Sequence, residues 1–151
     1  MKNKASSDYG FRAVVYLAIE DRVCSSKEIA EQMSIPRDYL IQLCLRLRDA
    51  GIVKAHPGKN GGYELAKKPE KISLYDISKA LSAEDKQPRH PLAKKRDNSD
   101  AVAAVRYTQK VMAKGSAMLY SGISVQDIID STNAGSDIAA VLQAGLDKSN
   151  K

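Results

Sequence analysis

The side chains best suited to chemistry in this chain are few, and their types point to recognition rather than turnover. Gln42 sits between Arg37 and Arg46, and Lys59-Asn60 interrupts a glycine-rich stretch, Pro57-Gly58-Lys59-Asn60-Gly61-Gly62. A glutamine amide can donate to and accept from one adenine edge, and lysine or arginine neutralises phosphate. Cysteine and histidine side chains are limited to Cys24, Cys44, His56 and His90. They fit no zinc spacing and form no sequence cluster, so no metal site and no cofactor are expected. The sequence contains no readable nucleophile–base pair, phosphate loop or paired-carboxylate cleft. Gly58–Gly62 follows one strand and opens another, not a helix. The chain is expected not to be an enzyme.

Those residues need elements to position them. Ser6 or Ser7 can cap a first helix reaching to about Glu20, with Tyr9, Ala13, Tyr16 and Leu17 on one face and Phe11, Val14, Val15 and Ala18 widening it. Ser25 followed by Glu28 is a capping box for a short second helix, about Ser26 to Met33. Pro36 pre-organises the first turn of a third. Leu40, Leu43, Cys44 and Leu47 give this third helix a buried stripe, and Gly51 ends it in the left-handed region. Ile52–His56 and Gly62–Ala66 read as a hairpin around the glycine-rich turn. Ser73 caps a fourth helix, Leu74 to about Leu81. Three helices followed by a hairpin predict a mostly α fold, a winged helix-turn-helix whose third helix is free to enter a major groove.

Beyond this unit the composition changes. Ser82–Ser99 is polar, contains Pro88, Pro91 and the run Lys94-Lys95-Arg96, and reads as a linker. The run is most simply a solvated stretch, and it could also lie along phosphates. A long helix follows, about Asp100 to Tyr120. Its stripe of Ala101, Ala104, Thr108, Val111, Gly115 and Met118, with Val105, Met112 and Leu119 beside it, is one that a single helix cannot bury. A second copy of the chain could cover it; packing on its own winged unit is the competing reading. Ser124 caps a short helix, Val125 to Ile129. The remainder, with Ile138, Val141, Leu142 and Leu146, is expected to form a turn or two or to stay loose. The expected organisation is a winged unit at 1–82, a linker at 83–99, a dimerisation helix and short helix at 100–131, and a tail at 132–151.

Composition sets the outer bounds. The 151 residues carry 24 Lys+Arg against 18 Asp+Glu, a formal +6. Residues 1–81 hold 14 basic and 10 acidic side chains and residues 82–151 hold 10 and 8. The excess is compatible with a polyanionic partner and equally with plain solubility. With no apolar run near ~20 residues and no apolar h-region at the start, the expected place is the cytoplasm, away from any membrane.

The expected DNA-facing set is Arg37, Asp38, Tyr39, Ile41, Gln42 and Arg46 on the third helix, with Lys59, Asn60 and Gly61 in the wing. Asp38 could instead satisfy the amides at its helix start. Ile41 and Leu45 are two apolar residues on a face that should be wet. They are compatible with packing on thymine methyls and with contact to helix one or a neighbouring loop. Cys44 lies on the core stripe and is expected to be buried. Cys24 lies in a loop, is expected to be exposed, and is a candidate redox sensor against the plainer reading of an ordinary cysteine.

Several of these segments together resemble a known family. They are Tyr9-Gly10-Phe11-Arg12-Ala13, Lys27-Glu28-Ile29-Ala30-Glu31, Tyr39-Leu40-Ile41-Gln42-Leu43, Leu47-Arg48-Asp49-Ala50-Gly51-Ile52-Val53, Gly61-Gly62-Tyr63-Glu64-Leu65-Ala66 and Ile72-Ser73-Leu74-Tyr75-Asp76-Ile77. In this order they resemble the Rrf-two family of bacterial winged-helix regulators, closely over about residues 5–82 and more loosely beyond. The resemblance implies a homodimeric transcriptional repressor on a pseudo-palindromic operator, contacting double-stranded DNA through helix three and the wing. Many relatives hold an iron–sulfur cluster on three cysteines before the dimer helix. Residues 83–100 here contain none, which places the chain with the cluster-free branch. Many relatives also carry an acidic residue where Ile41 stands and an arginine near Pro57, so their operator preference does not transfer. The competing function is a protein-interaction module with a vestigial DNA face, modulating an enzyme or another regulator.

Overall fold

A computed structural model describes residues 4–82 and 100–151. The linker expected at 83–99, with Pro88, Pro91, His90 and Lys94-Lys95-Arg96, lies outside the described residues. In chain order the elements are α1 (Lys4–Glu20), α2 (Ser26–Met33), α3 (Arg37–Asp49), β1 (Val53–His56), β2 (Gly62–Leu65), a 3-10 turn (Pro69–Lys71), α4 (Leu74–Ser82), α5 (Asp100–Ser121), α6 (Val125–Ala134) and α7 (Ile138–Ser149).

Local chemistry accounts for the boundaries in the winged unit. The Ser25 hydroxyl accepts from the Glu28 amide at 3.1 Å and starts α2. Ser34, in the left-handed region, ends it. Gly51 takes φ 75° directly after α3, which releases the chain into β1. The strands pair antiparallel, Val53 with Leu65 through His56 with Gly62. Leu17, Ile29, Leu40, Leu43, Cys44, Leu47 and Ile77 form one core, with Ile52, Val53 and Ile72 closing it beneath the wing. The back of α3 is therefore held by α1, α2 and α4.

Ser6 and Ser7 do not cap α1, which already begins at Lys4 and holds both serines within its first turn. Three further placements differ from the sequence expectation. Cys24 is not an exposed loop residue: it is 0% exposed. Its backbone acts as a third strand beside the wing, donating to Tyr63 O at 2.9 Å and accepting from Tyr63 N at 2.8 Å. Gly62 must be glycine there, because a Cβ would lie 2.1 Å from Cys24 O. The second difference is α6, which runs five residues past the expected end, to Ala134. The third is the tail. Ile138–Ser149 is a full helix packed on the end of α5.

The C-terminal elements are also joined to the winged core. Val125 at the start of α6 is buried within it. Leu74 N donates to Ile123 O at 2.9 Å and Val125 N to Ile72 O at 2.8 Å. The two segments are near-repeats, Ile72-Ser73-Leu74-Tyr75-Asp76-Ile77 and Ile123-Ser124-Val125-Gln126-Asp127-Ile128. In each, the serine hydroxyl accepts from the aspartate amide and the aspartate carboxylate accepts from the serine amide, all at 3.0 Å.

Candidate nucleic-acid interface

The period of α3 separates its two faces. Leu40, Leu43, Cys44 and Leu47 are buried. Asp38, Gln42, Leu45 and Asp49 follow the i, i+4, i+7, i+11 line on the opposite side, and all four are exposed. Ile41 is half-buried beside that line. Gln42 thus has its amide in solvent on a helix whose rear is fixed by the core. At the helix start, Asp38 makes no side-chain cap, and Pro36 occupies the N-cap position.

Arg37 and Arg48, at i and i+11, share one flank of this line. There they meet the wing. A cleft of about 530 Å³ is lined by Ser25 and Ser26 at the start of α2, by Arg37 and Arg48, and by His56, Lys59 and Gly61 of the wing. Arg37 Nε donates to Ser26 Oγ at 3.2 Å, which holds the guanidinium over the positive end of α2. Arg48 donates to Asp49 at 3.1 Å and His56 Nε2 pairs with Glu64 at 2.9 Å. Lys59 and Asn60 are exposed at the wing tip, where Gly61 N bonds back to Gly58 O at 3.0 Å. A phosphate in this cleft would meet two guanidiniums, an ammonium and a helix N-terminus.

Other expected site residues lie apart from the cleft. Arg46 is half-buried on the far flank and lines a second hollow with Asp76 and Lys79 of α4. Tyr39 packs edge-on against Tyr9, ring centroids 5.6 Å apart, with Arg12 over the Tyr9 ring at 5.3 Å. This ties Tyr39 to α1. The sequence reading missed Arg48 and Ser26, although the spacing of Arg48 from Arg37 on one helix was the available signal.

Neither thiol is a ready ligand or nucleophile. Burial pushes Cys44 up to about 12. Cys24 is also raised, first by burial and then by the charge of Glu28, against the pull of Arg22. Glu28 is held low by hydrogen bonds from Arg22 and then from Tyr16. Tyr16 donates to it at 2.8 Å, tying the first turn of α2 to α1.

On α5, Ala101, Ala104, Thr108, Val111, Met112, Gly115 and Met118 are exposed in the single chain, and Leu119 is half-buried. The Val105 side chain lies outside the described residues. Among the described residues, no helix is long and apolar enough to cross a membrane.

A helix bundle with its third helix proud of the core, a two-stranded wing and C-terminal helices defines a winged helix-turn-helix protein. The Rrf2 family model, described as an iron-dependent transcriptional regulator, matches residues 3–133. The chain belongs to that family, which is one of transcriptional regulators and not of enzymes. It is 45% identical over 83 residues to a protein of Synechocystis sp. named as a helix-turn-helix-type transcriptional regulator, covering 54% of this chain and 56% of that one. A similarly named Mycobacterium tuberculosis protein is 32% identical over 99 residues, covering 64% and 57%. The matches therefore span just over half the length of these relatives.

Among solved structures, IscR of T. potens superposes with a TM-score of 0.66 at 28% identity, covering 87% of this chain and 88% of that one. CymR, the global cysteine regulator of B. subtilis, gives 0.61 at 25% identity, covering 85% and 95%. Both cysteines are buried in the winged unit, and no group of three or more Cys, His, Asp or Glu among the described residues could hold a metal ion.

Proposed function

We propose that this chain is a sequence-specific DNA-binding transcriptional repressor that works as a homodimer on a pseudo-palindromic operator. The observation that carries this reading is the exposed line of α3 beside the cationic cleft. The line supplies a base-reading edge at Gln42, and Arg37, Arg48 and Lys59 supply phosphate contacts on one side of it. Family membership supports it. The bare stripe of α5 supports pairing, since two copies would bring two α3 helices to successive major grooves.

Its signal acts without an iron–sulfur cluster, because residues 83–100 supply no thiolate and both cysteines belong to the core. Purified under nitrogen, the protein is expected to be colourless. Visible charge-transfer absorption with stoichiometric iron and sulfide would contradict that part.

Selection of genomic fragments by the purified full chain tests the function itself. Recovery of one palindromic motif upstream of genes, bound far more tightly than scrambled DNA, is the expected result. Binding that ignores sequence would contradict it and favour a protein-interaction role.

A further inference from the structure

The structure assigns a second base-reading residue: we propose that Leu45 reads thymine, receiving its C5-methyl group in the major groove. This rests on the DNA-binding reading above and goes further, because it names the base chemistry that one side chain selects.

Leu45 lies in the middle of the exposed line of α3, one turn beyond Gln42, and is 41% exposed. The sequence left open whether it touches α1 or a loop instead. Neither Leu45 nor Ile41 belongs to the core cluster or to the side chains packed against it. Of the large apolar side chains described in residues 4–82, only Ile19 and Leu45 are exposed. Ile19 sits near the end of α1, whereas Leu45 shares its face with Asp38, Gln42 and Asp49 and is flanked by arginines.

That flank decides the occupant. Arg37 and Arg48 lie along one side of this face and line the cleft with Lys59, so whatever meets Leu45 also has to bring negative charge along that edge of the helix. An apolar protein surface does not, while a major groove bordered by phosphates does. Within that groove the thymine methyl is the distinctive apolar group on the base edges. Ile41, one turn earlier and half-buried, widens the apolar spot. A methyl group can then settle over an i, i+4 pair and lose its water to carbon on two sides.

The test removes that methyl and nothing else. In an operator fragment selected by the wild-type protein, each thymine is replaced in turn by uracil. Wild type is expected to lose about fourfold in affinity at one thymine per half-site, the effect of one buried methyl-sized group. Leu45→Ala is expected to bind thymine and uracil fragments equally at that position. Leu45→Met, which keeps an apolar chain of similar volume, should retain the preference. Thermal melts check that both variants fold, as an exposed position predicts. If no uracil replacement weakens wild type, or Leu45→Ala keeps the full preference, the inference is overturned while specific DNA binding by Gln42 and the wing stands. If wild type selects no fragment at all, the function it rests on fails, and this inference fails with it.

Discussion

The winged unit and the α5–α7 arm are built from similar amphipathic helices, yet they treat their apolar stripes in opposite ways. The stripe of α3 is buried within its own chain, from Leu40 to Leu47. The stripe of α5 is bare, with Val111 at 52% and Met112 at 67% exposure. Ile138, Leu142 and Leu146 of α7 are exposed too. The same periodicity thus has two outcomes. A stripe becomes core when short loops fold neighbours onto it, and stays open when its covering surface has to come from elsewhere. The proposed homodimer would cover the arm's stripe, whereas the winged unit already covers its own.

The difference can be broken first where it should matter most. Val111→Glu with Met118→Glu places charges on a face that is wet in one chain and dry in a pair. The single fold should survive. Sedimentation should report monomers, and operator affinity should fall by several kcal/mol, because the two charges oppose burial and a monomer engages only one half-site. A double variant that stays dimeric would place the interface elsewhere.

The winged side of the comparison is tested by its thiols. Cys44 is pushed to about 12 by burial, and Cys24 is raised by burial and then by Glu28. Native protein at neutral pH should therefore react with a thiol probe at least ~10-fold more slowly at either site than unfolded protein does. Rapid native labelling of Cys24 would restore the exposed loop that the sequence suggested.

The packing of α7 inside the arm comes next. Gly122 lies so close to α7 that a Cβ would stand 1.9 Å from Gly145 O. Lys148 Nζ pairs with Asp127 at 2.8 Å beside it. Gly122→Ala should weaken the docking of α7 by roughly 1–3 kcal/mol. Hydrogen exchange over 138–149 should rise while α1–α4 stay protected. Unchanged protection of α7 would contradict the close packing.

A smaller effect concerns pH. The hydrogen bond with Glu28 raises Tyr16 from 10.0 to about 12. A raised acid contributes stability that is present below its ordinary value and is lost as pH climbs from about 10 toward 12. Glu28 is lowered, so its contribution is present above the ordinary carboxylate range and is lost as pH falls below it. In denaturant titrations across pH, Tyr16→Phe should remove the alkaline limb and only partly flatten the acid one, which the Arg22 hydrogen bond still maintains. Unchanged limbs would show that the pair contributes nothing to folding.

These regions also differ in how far they were legible in sequence. The caps at Ser25, Ser73 and Ser124, the stripe of α3 and the turn at Gly51 are local signals, and the structure places each of them as read. Cys24 was misread because its burial depends on pairing with Tyr63, a neighbour distant in sequence that periodicity cannot register. The helix α7 was under-read because Asp137 at its N-cap makes no side-chain hydrogen bond, so its start carries little local signature. Its stability comes from packing on Gly122, Leu119 and Ile123, and from the Lys148–Asp127 pair. On the candidate interface, Gln42 and Lys59 were legible as exposed polar positions. The cleft that joins Arg37, Arg48 and Ser26 appeared only once α2 and the wing were folded together.

The most direct test of the central claim is a binding titration of Gln42→Ala and Lys59→Ala against selected operator and scrambled DNA at several salt concentrations. A base-reading side chain confers preference, whereas a phosphate-holding one confers general affinity. Gln42→Ala should lose ~1–3 kcal/mol on the operator and nothing on scrambled DNA. Lys59→Ala should weaken both and lower the slope of log affinity against log salt by about one unit for each phosphate that is no longer neutralised. If Gln42→Ala matches wild type on every sequence, the exposed line of α3 is not the reading edge, and the proposed role of this face is contradicted.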